Sequence, residues 1–402
     1  MKRIILILLS ALLILSLAAC SEESLPPSAG PTPEPVSEPP SATPEPAPED
    51  TPAPPAEETV LLPDPVVVEK NGVRVAVEPA LELIVVIQNF IDFHITSTYN
   101  FTYKEDIASY FSDMAGHEAV LFFNEHTTSL YQASGGPFHV SALMINPDFT
   151  LDQTAFDAYY SDRFPVDVNE FLSVMKAFYV DSGFEEFYLQ HLDYYTSFVE
   201  HTAASFPDWE MIPAMEEFYG KGMESYNIVL CPNFWNGGFG PAIQRDAGLA
   251  CYSIQGSAGA KEGLPTFGST NDFADLVLHE FGHSFVSINS EAEAFPDILK
   301  ARDESAYLQE PIQDKMQSQG YGEWHIACEE LVLRAVVIRQ MADNQGANAE
   351  GYLKSEISKG YIYIETVYDS LQTYVDNRDT YPTFDDFTPV LLNELMQAYP
   401  PA

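Results

Sequence analysis

The stretch Leu276–Val286 reads "LVLHEFGHSFV". Its apolar side chains place it inside a domain, yet it carries His279, Glu280 and His283, which burial penalises unless something compensates them. On a helix, residues four apart share a face, so His279 and His283 point the same way. Two neutral imidazoles at that spacing suit one zinc ion held from a single turn. Glu280, one residue on, is displaced around the helix, where a carboxylate is free to exchange a proton with water.

This is the H-E-x-x-H arrangement of zinc metallopeptidases. With nine histidines in the chain, the five-residue pattern arises by chance in roughly one or two chains per hundred of this length. Chance matches fall mostly on polar, exposed segments, and this one does not. A satisfied pair of core histidines is the plainer alternative. Gly282 argues further: glycine within a helix costs about 1 kcal/mol against alanine, so close packing is expected there. A zinc site needs a third protein ligand. The short metzincin spacing is excluded, because it requires glycine at Val286 and histidine at Asn289. A second helix supplies candidates in "HIACEELVLRAVV", where Glu329 and Glu330 open an otherwise apolar run. Glu330 also stands four residues before Arg334, as in an ordinary helical ion pair, and the two roles are compatible because an arginine steadies a ligand carboxylate. Tyr321 and His325, polar and close before the third ligand, are candidate oxyanion donors, each with a purely structural alternative. His94, His117, His126, His139, His191 and His201 show no ligand spacing and read as structural or surface residues.

Outward from the motif, "VVVEKNGVRVAV" (Val66–Val77) sets two β-branched runs around Asn71-Gly72, a hairpin signal. "PALELIVVIQNFIDFH" (Pro79–His94) has helical length and a mostly apolar face. Aromatic-rich helical segments fill Lys104–Val199, broken at Gly135-Gly136-Pro137 and at Asn146-Pro147. "SYNIVLCPNF" (Ser225–Phe234) reads as a strand, "NGGFGP" (Asn236–Pro241) as a turn or open loop, and "GLACYSIQGSA" (Gly248–Ala258) as a returning strand. The motif helix is expected to start near Thr270–Asp272, the second helix to cover Trp324–Ala342, and the tail to hold more helix broken near Asp379–Pro382. The expected fold class is α+β, mainly helical, with a small antiparallel sheet preceding the motif helix.

The chain opens "MKRIILILLSALLILSLAAC", a short basic start and an apolar run ending in small residues, as a secretory signal does. Leu17, Ala18, Ala19 and Cys20 resemble the lipobox of bacterial lipoproteins, in which the cysteine is lipidated and becomes the first mature residue. An ordinary signal with an incidental cysteine is the plainer alternative. Residues 21–60 are Pro, Glu, Ser, Thr and Ala with no basic residue, a disordered spacer able to reach on the order of 120 Å when stretched. Residues 61–402 then form one metallopeptidase-like domain, or two lobes divided near residue 289. The expected location is the outside of the cell, at the surface of the membrane that carries the lipid, with the membrane reached through that anchor alone. Lys and Arg number 18 against 60 Asp and Glu, for a formal charge of −42. No basic stripe is available for phosphate, which excludes nucleic acid as a partner. Of the three cysteines after Cys20, an exported location permits Cys231 to pair with Cys251 and leaves Cys328 free.

"HEFGHSFV", "YGEW" (Tyr321–Trp324) and "EELVLRA" (Glu329–Ala335) resemble a family of exported bacterial proteins labelled only as a domain of unknown function, whose sequences place them among gluzincin-type metallopeptidases. The resemblance takes in "LELIVVIQNF", "NGGFG" and the tail "YIYIETVYDSLQTYVDNRDTYPTFDDF", nearly the whole chain after the spacer. It implies one zinc ion at His279, His283 and Glu330, because the family's glutamate stands four before the arginine of "RA". Glu280 is then the general base and a peptide or protein the substrate. By analogy with gluzincins, "SYNIVLCPNF" or "GLACYSI" would hold a peptide as an edge strand, and "NGGFG" would admit a substrate backbone. The rival reading is a non-catalytic surface lipoprotein that binds a protein or glycan partner, with structural zinc or none. A second rival keeps the zinc chemistry but hydrolyses another amide, such as one in the cell wall. Glu280 argues against the first rival, since a structural zinc needs no carboxylate there.

Overall fold

Asn71 and Gly72 adopt positive φ, 51° and 78°, the backbone a two-residue hairpin turn requires. They close β1 (Val66–Lys70) onto β2 (Val73–Val77) in antiparallel register. The computed structural model describes residues 60–93, 95–128, 136–267, 270–286, 288 and 294–401. The signal sequence with Cys20, the spacer up to residue 59, His94 and residue 289 lie outside the described residues. Among the described residues no helix is long and apolar enough to cross a membrane.

After β2 the chain runs through α1 (Pro79–Gln88), α2 (Thr102–Tyr110), α3 (Glu118–His126), α4 (Pro137–Ala142), α5 (Gln153–Tyr160), α6 (Val168–Ser182), α7 (Phe184–Gln190), α8 (Leu192–Ala204) and α9 (Met211–Tyr219). The breaks fall where Gly136-Pro137 starts α4 and where Asn146-Pro147 turns the chain before α5. The long helix expected over Pro79–His94 ends instead at Gln88, and all ten of its residues are buried. The chain then returns to the sheet as β3 (Ser225–Leu230), β4 (Gly238–Phe239), β5 (Ala242–Gln244) and β6 (Leu249–Gln255), with a separate hairpin of β7 (Gly259–Lys261) and β8 (Leu264–Thr266). The last third is helical: α10 (Thr270–Gly282), α11 (Pro296–Glu304), α12 (Gln313–Ser318), α13 (Trp324–Gln345), α14 (Ala349–Lys359), α15 (Ile364–Asp376) and α16 (Phe384–Ala398). The expected break near Asp379–Pro382 falls between α15 and α16.

The class is α+β as expected, but the sheet is mixed rather than antiparallel. Its order is β1-β2-β3-β6-β4, with β5 also on β6, and both β2–β3 and β3–β6 are parallel. The chain leaving β3 reverses into β4 and β5, and the tight turn after β5 reverses it again. Two reversals cancel, so β6 enters beside β3 running the same way. That register separates the two cysteines expected to pair. Tyr226 stands opposite Cys251, while Cys231 lies five residues further along, about 16 Å away at the rise of a strand. Cys231, Cys251 and Cys328 are all buried free thiols.

The described residues from 60 onward form one compact unit, and α10 packs directly on α13 although residue 289 lies between them in sequence. Within the aromatic-rich core, Glu82 of α1 is buried and accepts from the Tyr103 hydroxyl at 2.6 Å, which lies 2.6 Å from the Tyr195 hydroxyl. Burial pushes the Glu82 carboxyl up to about 7, and the donors Cys231 and Tyr103 offset only part of that shift. A raised carboxyl pKa means that the folded state holds a proton the unfolded state releases. Its unfavourable effect is absent below pH 4.5 and grows as pH rises through about 7. Glu82→Gln is therefore expected to remove a loss of about 3 kcal/mol between pH 4.5 and pH 8, read from denaturant unfolding at both pH values.

Candidate metal centre

α10 begins at Thr270, inside the expected window, and ends formally at Gly282. The His283 amide still donates to the His279 carbonyl at 3.3 Å, so the four-residue spacing keeps both imidazoles on one face. Gly282 sits where α10 meets α13. A Cβ there would overlap the Leu333 side chain and crowd the Tyr219 hydroxyl, so the glycine expected from close packing does permit that packing. α13 is buried on nearly all sides, as a helix apolar around its circumference must be. The approach of the two helices brings Glu329 and Glu330 up to the histidines.

Glu330 stands 3.5 Å from each imidazole, Oε2 to His279 Nε2 and Oε1 to His283 Nε2. One donor atom from each of His279, His283 and Glu330 can be chosen so that all lie within 4.8 Å of one another. Tetrahedral donors at zinc bond lengths stand about 3.4 Å apart, so the cluster suits such an ion with little rearrangement. Two imidazoles and one carboxylate are also the donor types zinc takes in open sites. The neighbouring glutamates, both candidates from sequence, face different atoms here: Glu329 meets His283 Nδ1 at 3.3 Å, while Glu330 faces both Nε2 atoms.

Mutual charge compensates the burial that the motif raised as a problem. Burial alone would raise the Glu330 carboxyl, but His279, His283 and Arg334 hold it down at about 2. Burial opposes charge on His283, yet the Glu329 hydrogen bond and the Glu330 and Glu280 carboxylates lift its pKa to about 9. Arg334 takes its expected place, with Nη2 3.2 Å from Glu330 Oε2. Its other arm meets Glu356 Oε2 at 3.2 Å, and its guanidinium lies 4.6 Å from the Tyr361 ring centre. Neither Glu356 nor Tyr361 carried a sequence signal, since their meeting with Arg334 depends on how α14 folds back along α13.

Glu280 is buried beside the cluster and outside its donor set. Burial raises its pKa; the two histidines pull it back and Glu330 adds to the rise. Its surroundings explain "NGGFG". A Cβ on Gly238 would overlap the Glu280 carboxylate, and one on Gly240 would overlap the Glu280 backbone. The glycines expected to admit a substrate thus admit the motif helix itself. Asn236 fixes the loop: its Oδ1 accepts from the Thr98 amide at 3.0 Å and hydroxyl at 2.7 Å, and its Nδ2 donates to the Ser257 carbonyl at 2.6 Å. The strands expected at the sheet edge are interior, because β3 is paired with β2 and β6, and β6 with β3 and β4. The edge beside α10 is β4, within the segment expected to be a turn or open loop, because two paired residues rich in glycine carry no strand pattern.

Tyr321 is drawn towards the cluster. Burial and the nearby Glu330 and Glu280 push its hydroxyl up to about 12, with Arg334 opposing. His325 is not drawn in. It lies about 140° around α13 from Glu330 and pairs with Glu323 at 3.3 Å, lining a surface pocket with Arg302, Gln309 and Trp324. His139, read as structural, is fully buried against Gln88 at 2.8 Å, and burial lowers its pKa to about 3.

Fold and site together define a mainly helical α+β protein with a partly buried His-His-Glu cluster and a separate buried carboxylate beside it. The chain belongs to the family described as a domain of unknown function (DUF4932), whose model matches residues 73–394. No curated protein and no solved structure matches it.

Gly282→Ala is expected to lower the unfolding free energy by about 1–3 kcal/mol through overpacking. Because the collision is with one side chain, Leu333→Ala should cost less in the Gly282→Ala background than in the wild type. A double-mutant cycle in denaturant measures that coupling.

Proposed function

We propose that this protein is a zinc metallopeptidase of gluzincin type, lipid-anchored through Cys20 and acting on peptides or proteins outside the cell. The observation that carries the reading is the convergence of His279, His283 and Glu330, with Glu280 buried next to them but left out of the donor set. His279, His283 and Glu330 would hold the ion, which when bound supplies a Lewis acid for the scissile carbonyl and makes water a better nucleophile near neutral pH.

The chain's own groups supply the proton traffic. Glu280 takes a proton from the attacking water and returns it to the departing amine. Its burial favours this, since a carboxyl raised above the ordinary range holds the proton more readily between the two transfers. Tyr321 stays protonated throughout the neutral range and would serve as the donor to the developing oxyanion. Arg334 holds the Glu330 carboxylate in place, and Glu356 holds Arg334 from the other side. An extended peptide would lie along the open edge of β4, the strand that touches Glu280. The acidic spacer would carry the domain away from the anchoring membrane.

The test measures metal content and hydrolysis of a mixed peptide library. Wild type and Glu280→Gln should each carry one zinc per chain, with hydrolysis falling on the order of 10²–10⁴-fold in the variant. Glu330→Ala should lose the metal. Equal hydrolysis in wild type and Glu280→Gln would sink the proposal, and a zinc-loaded wild type that cleaves no peptide would favour a binding protein instead. Tyr321→Phe is expected to lower kcat by roughly 10–10³-fold with zinc content unchanged, measured on whichever library peptide is cleaved best.

A further inference from the structure

Two consecutive glutamates serve one imidazole. Successive residues on a helix point about 100° apart, so neighbours seldom share a partner. Here the ring of His283 lies between them. Its Nε2 is 3.5 Å from Glu330 Oε1, and its Nδ1 is 3.3 Å from Glu329 Oε1. The two ring nitrogens face away from each other, so each glutamate meets one of them. Both glutamates are buried, where a carboxylate is retained only with partners to offset its lost hydration.

We propose that Glu329 is a positioning residue for the metal centre. It accepts the Nδ1–H of His283, fixes that tautomer, and so turns the Nε2 lone pair towards the space shared with His279 and Glu330. This rests on the zinc reading above and adds a division of labour to it: Glu330 ligates and Glu329 orients. A ring left to rotate would have to be ordered during metal binding, and a ring without the carboxylate behind it would be a weaker donor. Arg334 cannot substitute, because it acts on Glu330 at the opposite side of the imidazole.

The experiment titrates zinc into the metal-free full chain against a competing chelator, with thermal melting of each metal-free variant alongside. Glu329→Ala is expected to bind one zinc about 10–100-fold more weakly than wild type. Glu329→Gln, whose amide oxygen still accepts from Nδ1–H, should stay within several-fold of wild type. Glu329→Met keeps the volume without an acceptor and takes the place of the alanine variant if that one melts early. A purely structural role would lower the melting temperatures without separating Gln from Ala or Met in affinity. Wild-type affinity in both the Ala and Met variants overturns the proposal, as does equal weakening in Gln and Ala. Loss of zinc from Glu329→Ala with retention in Glu330→Ala would make Glu329 the ligand, overturning the positioning role while the metal reading stands. A wild-type chain that takes up no zinc overturns both.

Discussion

The packing of α10 on α13 at Gly282 and Leu333 governs the site, because it sets how near two apolar helices come while each carries ionisable groups. A side chain at Gly282 would collide with the tip of Leu333 at the contact that brings Glu330 up to the histidines. The same closeness recurs on the other side of α10, where Gly238 and Gly240 of the β4 region lie against Glu280. One helix is thus gripped between a glycine-bearing strand and a buried helix. The residues of the motif, His279, Glu280 and His283, sit at these contacts, while Asp272 near the start of the helix is exposed.

The core handles buried acids in two ways. Glu82 accepts from the Tyr103 hydroxyl, and among the described residues no cation pairs with it, so burial raises its carboxyl to about 7. Glu330 has two imidazoles and a guanidinium, so it stays charged well below the usual range. The difference lies in the partners, since both carboxyls are almost equally hidden from water. Glu280 falls between, with histidines near enough to temper its rise. In the proposed reaction that intermediate state suits a group that must take a proton and give it back.

Local pattern was readable wherever it depends on neighbours in sequence. Asn71-Gly72 specified a hairpin through the left-handed backbone these residues tolerate, and the spacing of His279 and His283 specified a shared face. The apolar run of α13 carried its glutamates and Arg334 in plain view. What was missed depends on distant segments. Whether β6 runs parallel or antiparallel to β3 turns on two reversals through β4 and β5. The sheet edge fell to a two-residue strand that no periodicity marks. Glu356 and Tyr361 reach Arg334 only because α14 folds back, and His325 falls away because a helix turns about 140° over five residues.

The sequence by itself determined which side chains stand at helical spacing, because that geometry is set by the backbone within a turn or two. It therefore determined the imidazole pair, the separate Glu280 and the two candidate glutamates. Only the tertiary structure sets which imidazole nitrogens each of those glutamates faces. Glu329 and Glu330 are adjacent in the chain and alike in chemistry, and they differ by the angle at which α13 meets α10. That angle comes from side chains packed between the helices, and no residue's local preference encodes it.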